Sequence, residues 1–278
     1  MQQELKLRII SGVILAIIVL AVTWYGGFAF RLLSAVIALL IYYEWSTITR
    51  LQTEQPVANV AGWVGQAAIA AAILLGRFDF ALSLLVFFFA IAVGFVAAQS
   101  ASRWFPAGIV YAGLTGIALA EIRGGDAAGL QAMLFVFAVV WATDILAYFV
   151  GRAVGGPKLA PRISPGKTQS GAFGGAVSAV IAGSVIAYFF IPEADWLMAA
   201  AVAFILSVCS QAGDLFESFI KRRFGVKDSS HLIPGHGGVM DRVDGLIFAC
   251  FAAFLLATLF SLIKGDGMAP LGAALFGF

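Results

Sequence analysis

AGLQAMLFVFAVVWATDILAYFV, residues 128–150, decides the fold class: it is long enough to cross a bilayer as a helix and carries one charged residue, Asp144. A spanning helix needs about 20 predominantly apolar residues, and the same pattern recurs on both sides of this run. Hydropathy places nine spans, at 8–24, 27–43, 59–76, 80–98, 105–121, 128–150, 171–191, 196–219 and 243–263. Of the 278 residues, 62% are hydrophobic and 12% charged, against roughly 25% charged in a soluble globular domain. The expected fold is therefore an all-α integral membrane protein of about nine transmembrane helices. Trp24, Tyr25, Tyr42, Tyr43, Trp45, Trp104 and Trp196 fall near the span ends, where amphipathic rings prefer the membrane interface. The apolar tail from Gly265 to Phe278 is too short to span.

A net charge of +2 gives no sign of nucleic acid as a partner, and the informative quantity is where the charges sit. Cytoplasmic loops carry the excess of Lys and Arg. With the N-terminus inside, Lys6, Arg8, Arg50, Arg103, Arg152, Lys158, Arg162, Lys167, Lys221, Arg222, Arg223, Lys227 and Arg242 are cytoplasmic, and Arg31, Arg77, Arg123 and Lys264 are not. That distribution puts two polar loops, 151–170 and 220–242, on the nucleotide-rich side. The chain divides into N-terminal transmembrane helices, 1–125, and a C-terminal catalytic region, 126–278, that owns both loops. Cys209 and Cys250 both lie in apolar stretches, which excludes a disulfide framework or a CxxC metal site.

An intramembrane acid such as Asp144 is costly and marks function unless it is paired; Arg152, two turns on, is the structural alternative. In the eighth span Ser207, Ser210, Gln211, Asp214, Glu217, Ser218 and Lys221 recur at helical spacing, so one polar stripe runs along an apolar helix. Such a stripe faces a cavity or, for Ser and Gln, a hydrogen-bonded helix seam. The following loop gathers Lys221, Arg222, Arg223, Lys227, His231 and His236, and ends on Asp241 and Asp244 at i, i+3. If those two aspartates start a helix they share its face, a geometry suited to a divalent cation. Mg²⁺ prefers one or two carboxylates together with substrate phosphates, so Asp214, Asp241 and Asp244 suffice. Gly237 and Gly238 are expected to let backbone amides approach phosphate. The basic run also fits a plain positive-inside loop. With two histidines in the chain, a three-histidine zinc site is excluded.

In the other loop, Ser164-Pro165-Gly166-Lys167-Thr168 looks like a Walker A fragment, but residue 161, where the first glycine must stand, is Pro161. What remains is an expected Pro-Gly turn presenting Lys167 and two hydroxyls close to a helix N-terminus, an anion cradle. Gly171 and Gly175, four apart, fit close helix packing.

Ser218 to Asp244, SFIKRRFGVKDSSHLIPGHGGVMDRVD, resembles the signature of the phosphatidate cytidylyltransferase (CDP-diacylglycerol synthase) family throughout its length. Gly213-Asp214-Leu-Phe-Glu217-Ser218, Ser164-Pro-Gly-Lys-Thr168 and Asp144-x-x-Ala-Tyr148 add to the resemblance, which covers 141–250. One departure is Gln169-Ser170, where the family carries a bulky aromatic and an acid. The resemblance implies transfer of CMP from CTP to phosphatidic acid, with Mg²⁺ required and a second cation such as K⁺. It also implies a homodimer in a bacterial inner membrane, with the polar catalytic cavity at the cytoplasmic face. On this reading Asp214, Asp241, Asp244 and Lys227 are catalytic, with Asp214, Asp241, Asp244, Glu217 and Asp144 about the metal. Ser164, Lys167, Thr168, Lys221, Arg222, His236 and Arg242 would bind the substrates. A CTP-using kinase of a lipid alcohol and an ion-coupled transporter are the alternatives these residues leave open.

Overall fold

In a computed structural model, which describes residues 2–233, 235–265 and 270–277, the chain is almost wholly helical. Pro234 and the side chains of Lys6 and Arg8 lie outside the described residues. The order is α1 (Gln2–Tyr25), α2 (Gly27–Ile48), α3 (Leu51–Glu54), α4 (Pro56–Leu74), α5 (Phe78–Ala97), α6 (Trp104–Arg123) and α7 (Ala127–Val154). A short hairpin, β1 (Lys158–Ala160) and β2 (Ser164–Thr168), leads into α8 (Gln169–Phe190), α9 (Trp196–Arg223), α10 (Met240–Lys264) and α11 (Leu271–Ala274). Among the described residues eight helices, α2 and α4 to α10, are long and apolar enough to span a membrane, while the described apolar part of α1, Ser11–Tyr25, is shorter. Every expected span thus corresponds to a helix. Helices are the form the bilayer selects, because each backbone N–H and C=O is satisfied within the segment.

Local sequence sets the ends. Pro56 opens α4 at a position where a missing N–H costs nothing. Asp126 Oδ1 accepts the Gly129 amide (2.8 Å) to cap α7, and Asp195 Oδ1 accepts those of Leu197 and Met198 at the start of α9. Gly155, at φ 68°, stops α7 in a conformation that other residues resist.

The chain forms two compact units, one made of residues 1–120 and 223–242, the other of 121–222 and 243–278. The grouping differs from a linear division at residue 125, because the polar segment 223–242 folds with the N-terminal helices. In the first unit Tyr42, Trp45, Ile69, Ile73, Phe105 and Ile109 are buried. Trp45 Nε1 donates to Trp104 O (2.9 Å), and Gln66 Nε2 to Ile109 O (3.0 Å). Helix α2 continues to Ile48, and the rings of Tyr42 and Trp45 are buried within the protein, whereas Trp24, Tyr25 and Trp196 are exposed.

In the second unit α7 and α8 make the most extensive contact, and glycine permits it. A Cβ on Gly171 would lie 2.6 Å from Ala147 O, and one on Gly175 2.8 Å from Thr143 O. Thr143 Oγ1 donates to Ser207 Oγ (2.8 Å), tying α7 to α9, and Gln211 Nε2 donates to Ala172 O of α8 (3.2 Å). The upper part of the α9 stripe is therefore a hydrogen-bonded seam, as its Ser and Gln content allowed. Gly175→Val should lower stability by about 1–3 kcal/mol through overpacking. Gly94→Ala, where a Cβ meets nothing within 4 Å, should be neutral or stabilising by under about 1 kcal/mol. Thermal melts of both variants in detergent test the contrast.

Candidate functional site

In the second unit the helix before the hairpin and the helices after it enclose a cavity of about 710 Å³. Asp144, Tyr148 and Arg152 of α7, Lys158 of β1, Lys167 and Thr168 of β2, and Gln211 and Asp214 of α9 line it. The α9 stripe thus changes role along its length, from a seam at Ser207 to a cavity wall at Asp214.

The hairpin positions Lys167. Lys158 pairs with Thr168 and Ala160 with Ser164, so one residue of β1 faces three of β2, Pro165, Gly166 and Lys167. Such a bulge re-aims side chains, and Lys167 Nζ forms an ion pair with an Asp214 carboxylate oxygen. The expected turn at Pro165-Gly166 is corrected: these residues belong to the bulged strand. The chain reverses at Pro161–Ile163, where Ile163 N donates to Ala160 O (3.1 Å). Proline tolerates the strand because an edge position needs no donor. Thr168 is buried and caps α8, its Oγ1 accepting the Gly171 amide (3.1 Å). Ser164 holds the opposite end of β2 and does not line the cavity.

Asp144 and Asp244 each sense the charge of Asp214 and of Lys167, and Asp244 senses Asp144. Arg152 Nη1 donates to Tyr148 Oη (2.9 Å) rather than to Asp144. Ionised, the three acids outnumber this lysine by two negative charges, which is the charge of one divalent cation. The donor set is all carboxylate oxygen, the chemistry Mg²⁺ favours. Among the described residues no group of three or more His, Cys, Asp or Glu side chains is placed to hold a metal ion on its own. Mg²⁺ does not need one, since substrate phosphates and water complete its shell. Glu217, one turn after Asp214, is fully buried and ion-paired with Lys221 at 2.8 Å. Arg222 is exposed at the end of α9.

The first unit holds a second cavity, also about 710 Å³, lined by Lys227, Asp228, His231, Gly235, His236, Gly237 and Arg242. His236 Nδ1 shares a hydrogen bond with Ser11 Oγ of α1 (2.9 Å). Asp241, in the first turn of α10, accepts the Ser229 amide, the Ser229 hydroxyl and the Gly238 amide through Oδ2, all at 2.8 Å. The expected exposure of the Gly238 amide to phosphate is therefore corrected, because Asp241 already holds it. Glycine stands at 238 for another reason: a Cβ there would lie 2.3 Å from Oε1 of Glu44.

Glu44 is the residue that sequence reasoning missed. It lies on α2, fully buried. Its neighbours Tyr42, Tyr43 and Trp45 made the region look like an interfacial belt. The signal was the one used for Asp144, a lone acid within an apolar span.

A family model described as the cytidylyltransferase family matches residues 6–260. A protein of Brucella abortus (strain 2308) named phosphatidate cytidylyltransferase is 42% identical over 268 residues, covering 93% of this chain and 95% of its own. One of the same name from Bacillus subtilis (strain 168) is 29% identical over 271 residues, 93% of this chain and 99% of its own. A third, from Staphylococcus saprophyticus, is 45% identical over 141 residues, 50% of this chain and 53% of its own. Thr168→Ala removes the α8 cap and should cost about 1 kcal/mol, while Thr168→Ser should be close to neutral. Thermal melts with the parent as reference measure both.

Proposed function

The chain belongs to the cytidylyltransferase family, and from that premise we propose that it transfers CMP from CTP to phosphatidic acid, giving CDP-diacylglycerol and pyrophosphate. The observation that carries the reading is the Asp144, Lys167, Asp214 and Asp244 group at a cavity of about 710 Å³ in a membrane-embedded chain. A phosphatidate oxygen attacks the α-phosphorus of CTP. The bond to the bridging oxygen breaks, and pyrophosphate leaves with that electron pair. A phosphate monoester with a second pKa near ~6 is largely dianionic at neutral pH, so no side chain is needed to deprotonate the nucleophile. The barrier is repulsion between two polyanions, and fixed positive charge together with in-line alignment lowers it.

The residues fit those tasks. Lys167, Arg152 and Lys158 line the first cavity and supply cationic contacts for phosphate oxygens. Lys227 and Arg242 do so in the second, beside His236. Carboxylates of the Asp144, Asp214 and Asp244 group would hold Mg²⁺ together with substrate phosphates; the ion, when bound, neutralises phosphate charge. A homodimer and a monovalent cation such as K⁺ belong to the same reading through the family resemblance. The distribution of Lys and Arg supports an inner-membrane protein with its polar loops in the cytoplasm.

Purified protein given labelled CTP, Mg²⁺ and phosphatidic acid in detergent should release pyrophosphate and form a CDP-lipid, and should stop on chelation. Asp214→Asn and Lys167→Met should each lower kcat by about 10²–10³-fold, the scale of losing one preorganised electrostatic contact. CDP with a phosphorylated alcohol as products would overturn the reaction.

A further inference from the structure

Glu44 has no exposed surface, accepts three hydrogen bonds from the segment that follows α9, and shares the Ser229 hydroxyl proton with Asp241. Oε1 takes the Ser230 hydroxyl (2.6 Å) and the Val239 amide (2.7 Å). Oε2 takes the Ser229 hydroxyl (3.2 Å) and the Met240 amide (2.7 Å). Val239 and Met240 stand where α10 begins, so a side chain from α2 caps the positive end of another helix. The Ser229 hydroxyl also reaches Asp241 Oδ2, which gathers the Ser229 and Gly238 amides. The two carboxylates thus hold the segment around Ser229 through its one hydroxyl proton and the neighbouring amides. The product of that folding is the second cavity, where Lys227, His236 and Arg242 converge.

We propose that Glu44 is a positioning residue for cytidylyl transfer, holding residues 229–240 so that Lys227, His236 and Arg242 face one phosphate-binding cavity. The inference rests on the reaction proposed above and extends it to α2 of the N-terminal helices. A carboxylate is required. Glutamine has the same shape but replaces one oxygen with an NH₂, which confronts a backbone amide donor and loses that bond, and it leaves the remaining donors an uncharged acceptor.

The test compares the parent, Glu44→Gln and Ser230→Ala in detergent, reading kcat and KM for CTP, the melting temperature, and tryptic cleavage at Lys227 and Arg242. Glu44→Gln should lower kcat/KM for CTP by about 10²-fold, roughly tenfold for the lost amide bond and as much again because the remaining bonds lose a charged acceptor. It should also speed cleavage at both exposed sites. Ser230→Ala removes one donor and keeps the carboxylate, so it should cost about tenfold even if Glu44→Gln yields no folded protein. A space-filling role would leave Glu44→Gln like the parent. A purely structural one would lower the melting temperature while kcat and KM per folded molecule stayed at parent values. Either result overturns the proposal. A parent that makes no CDP-lipid would instead sink the reaction itself, and the role of Glu44 with it.

Discussion

The hydrocarbon core of a bilayer offers no hydrogen-bond partner, so each polar group that a spanning chain carries must be answered by the chain itself. Helices answer it for the backbone. Side chains need specific partners, and the arrangement of this protein follows from where they are found. Thr143 meets Ser207, Gln211 meets a carbonyl of α8, and Glu217 meets Lys221. Glu44 draws an entire polar segment onto the N-terminal helices to satisfy two oxygens. Unanswered, a buried carboxylate would cost several kcal/mol, which is why a segment continuous in sequence with the C-terminal helices folds with the N-terminal ones.

The group around Asp214 obeys the same constraint and leaves a remainder. Lys167 satisfies part of the negative charge that Asp144, Asp214 and Asp244 bring together. What is left over suits a cation that arrives with a polyphosphate. In the reaction proposed above binding and chemistry would thereby be linked, because the negative charge these acids share is the charge that would attract the ion. Glu217, only one turn away, shows the contrast, because its lysine is its own neighbour on the helix.

Much of this was legible in the chain. Spans are written in long apolar runs, and Asp144 and Asp214 stood out because an acid in such a run has no cheap explanation. The Gly171 and Gly175 spacing announced close packing of α8. Other features depend on partners far away in sequence. Pro165-Gly166 carries turn residues, but the partner strand Lys158–Ala160 draws them into a bulge. Tyr42 and Trp45 have interfacial side chains, yet an acceptor at Trp104 O lets Trp45 be buried. Glu44 was hidden by those aromatic neighbours, and its partners lie some 185 positions or more along the chain. Gly238 looked like a phosphate contact because glycine admits any close approach, and sequence does not say of what.

The bulged strand has a further consequence for Lys167. This residue sits between a strand paired to β1 and a threonine that caps α8, so its backbone is ordered from both sides as the chain folds. A lysine on a mobile loop would surrender that freedom each time a substrate arrived, and the loss would be subtracted from binding. Here the entropy of placing the ammonium is spent once, during folding. In the reaction proposed above, a charge already in place would leave more of any contact with phosphate to act on the transition state.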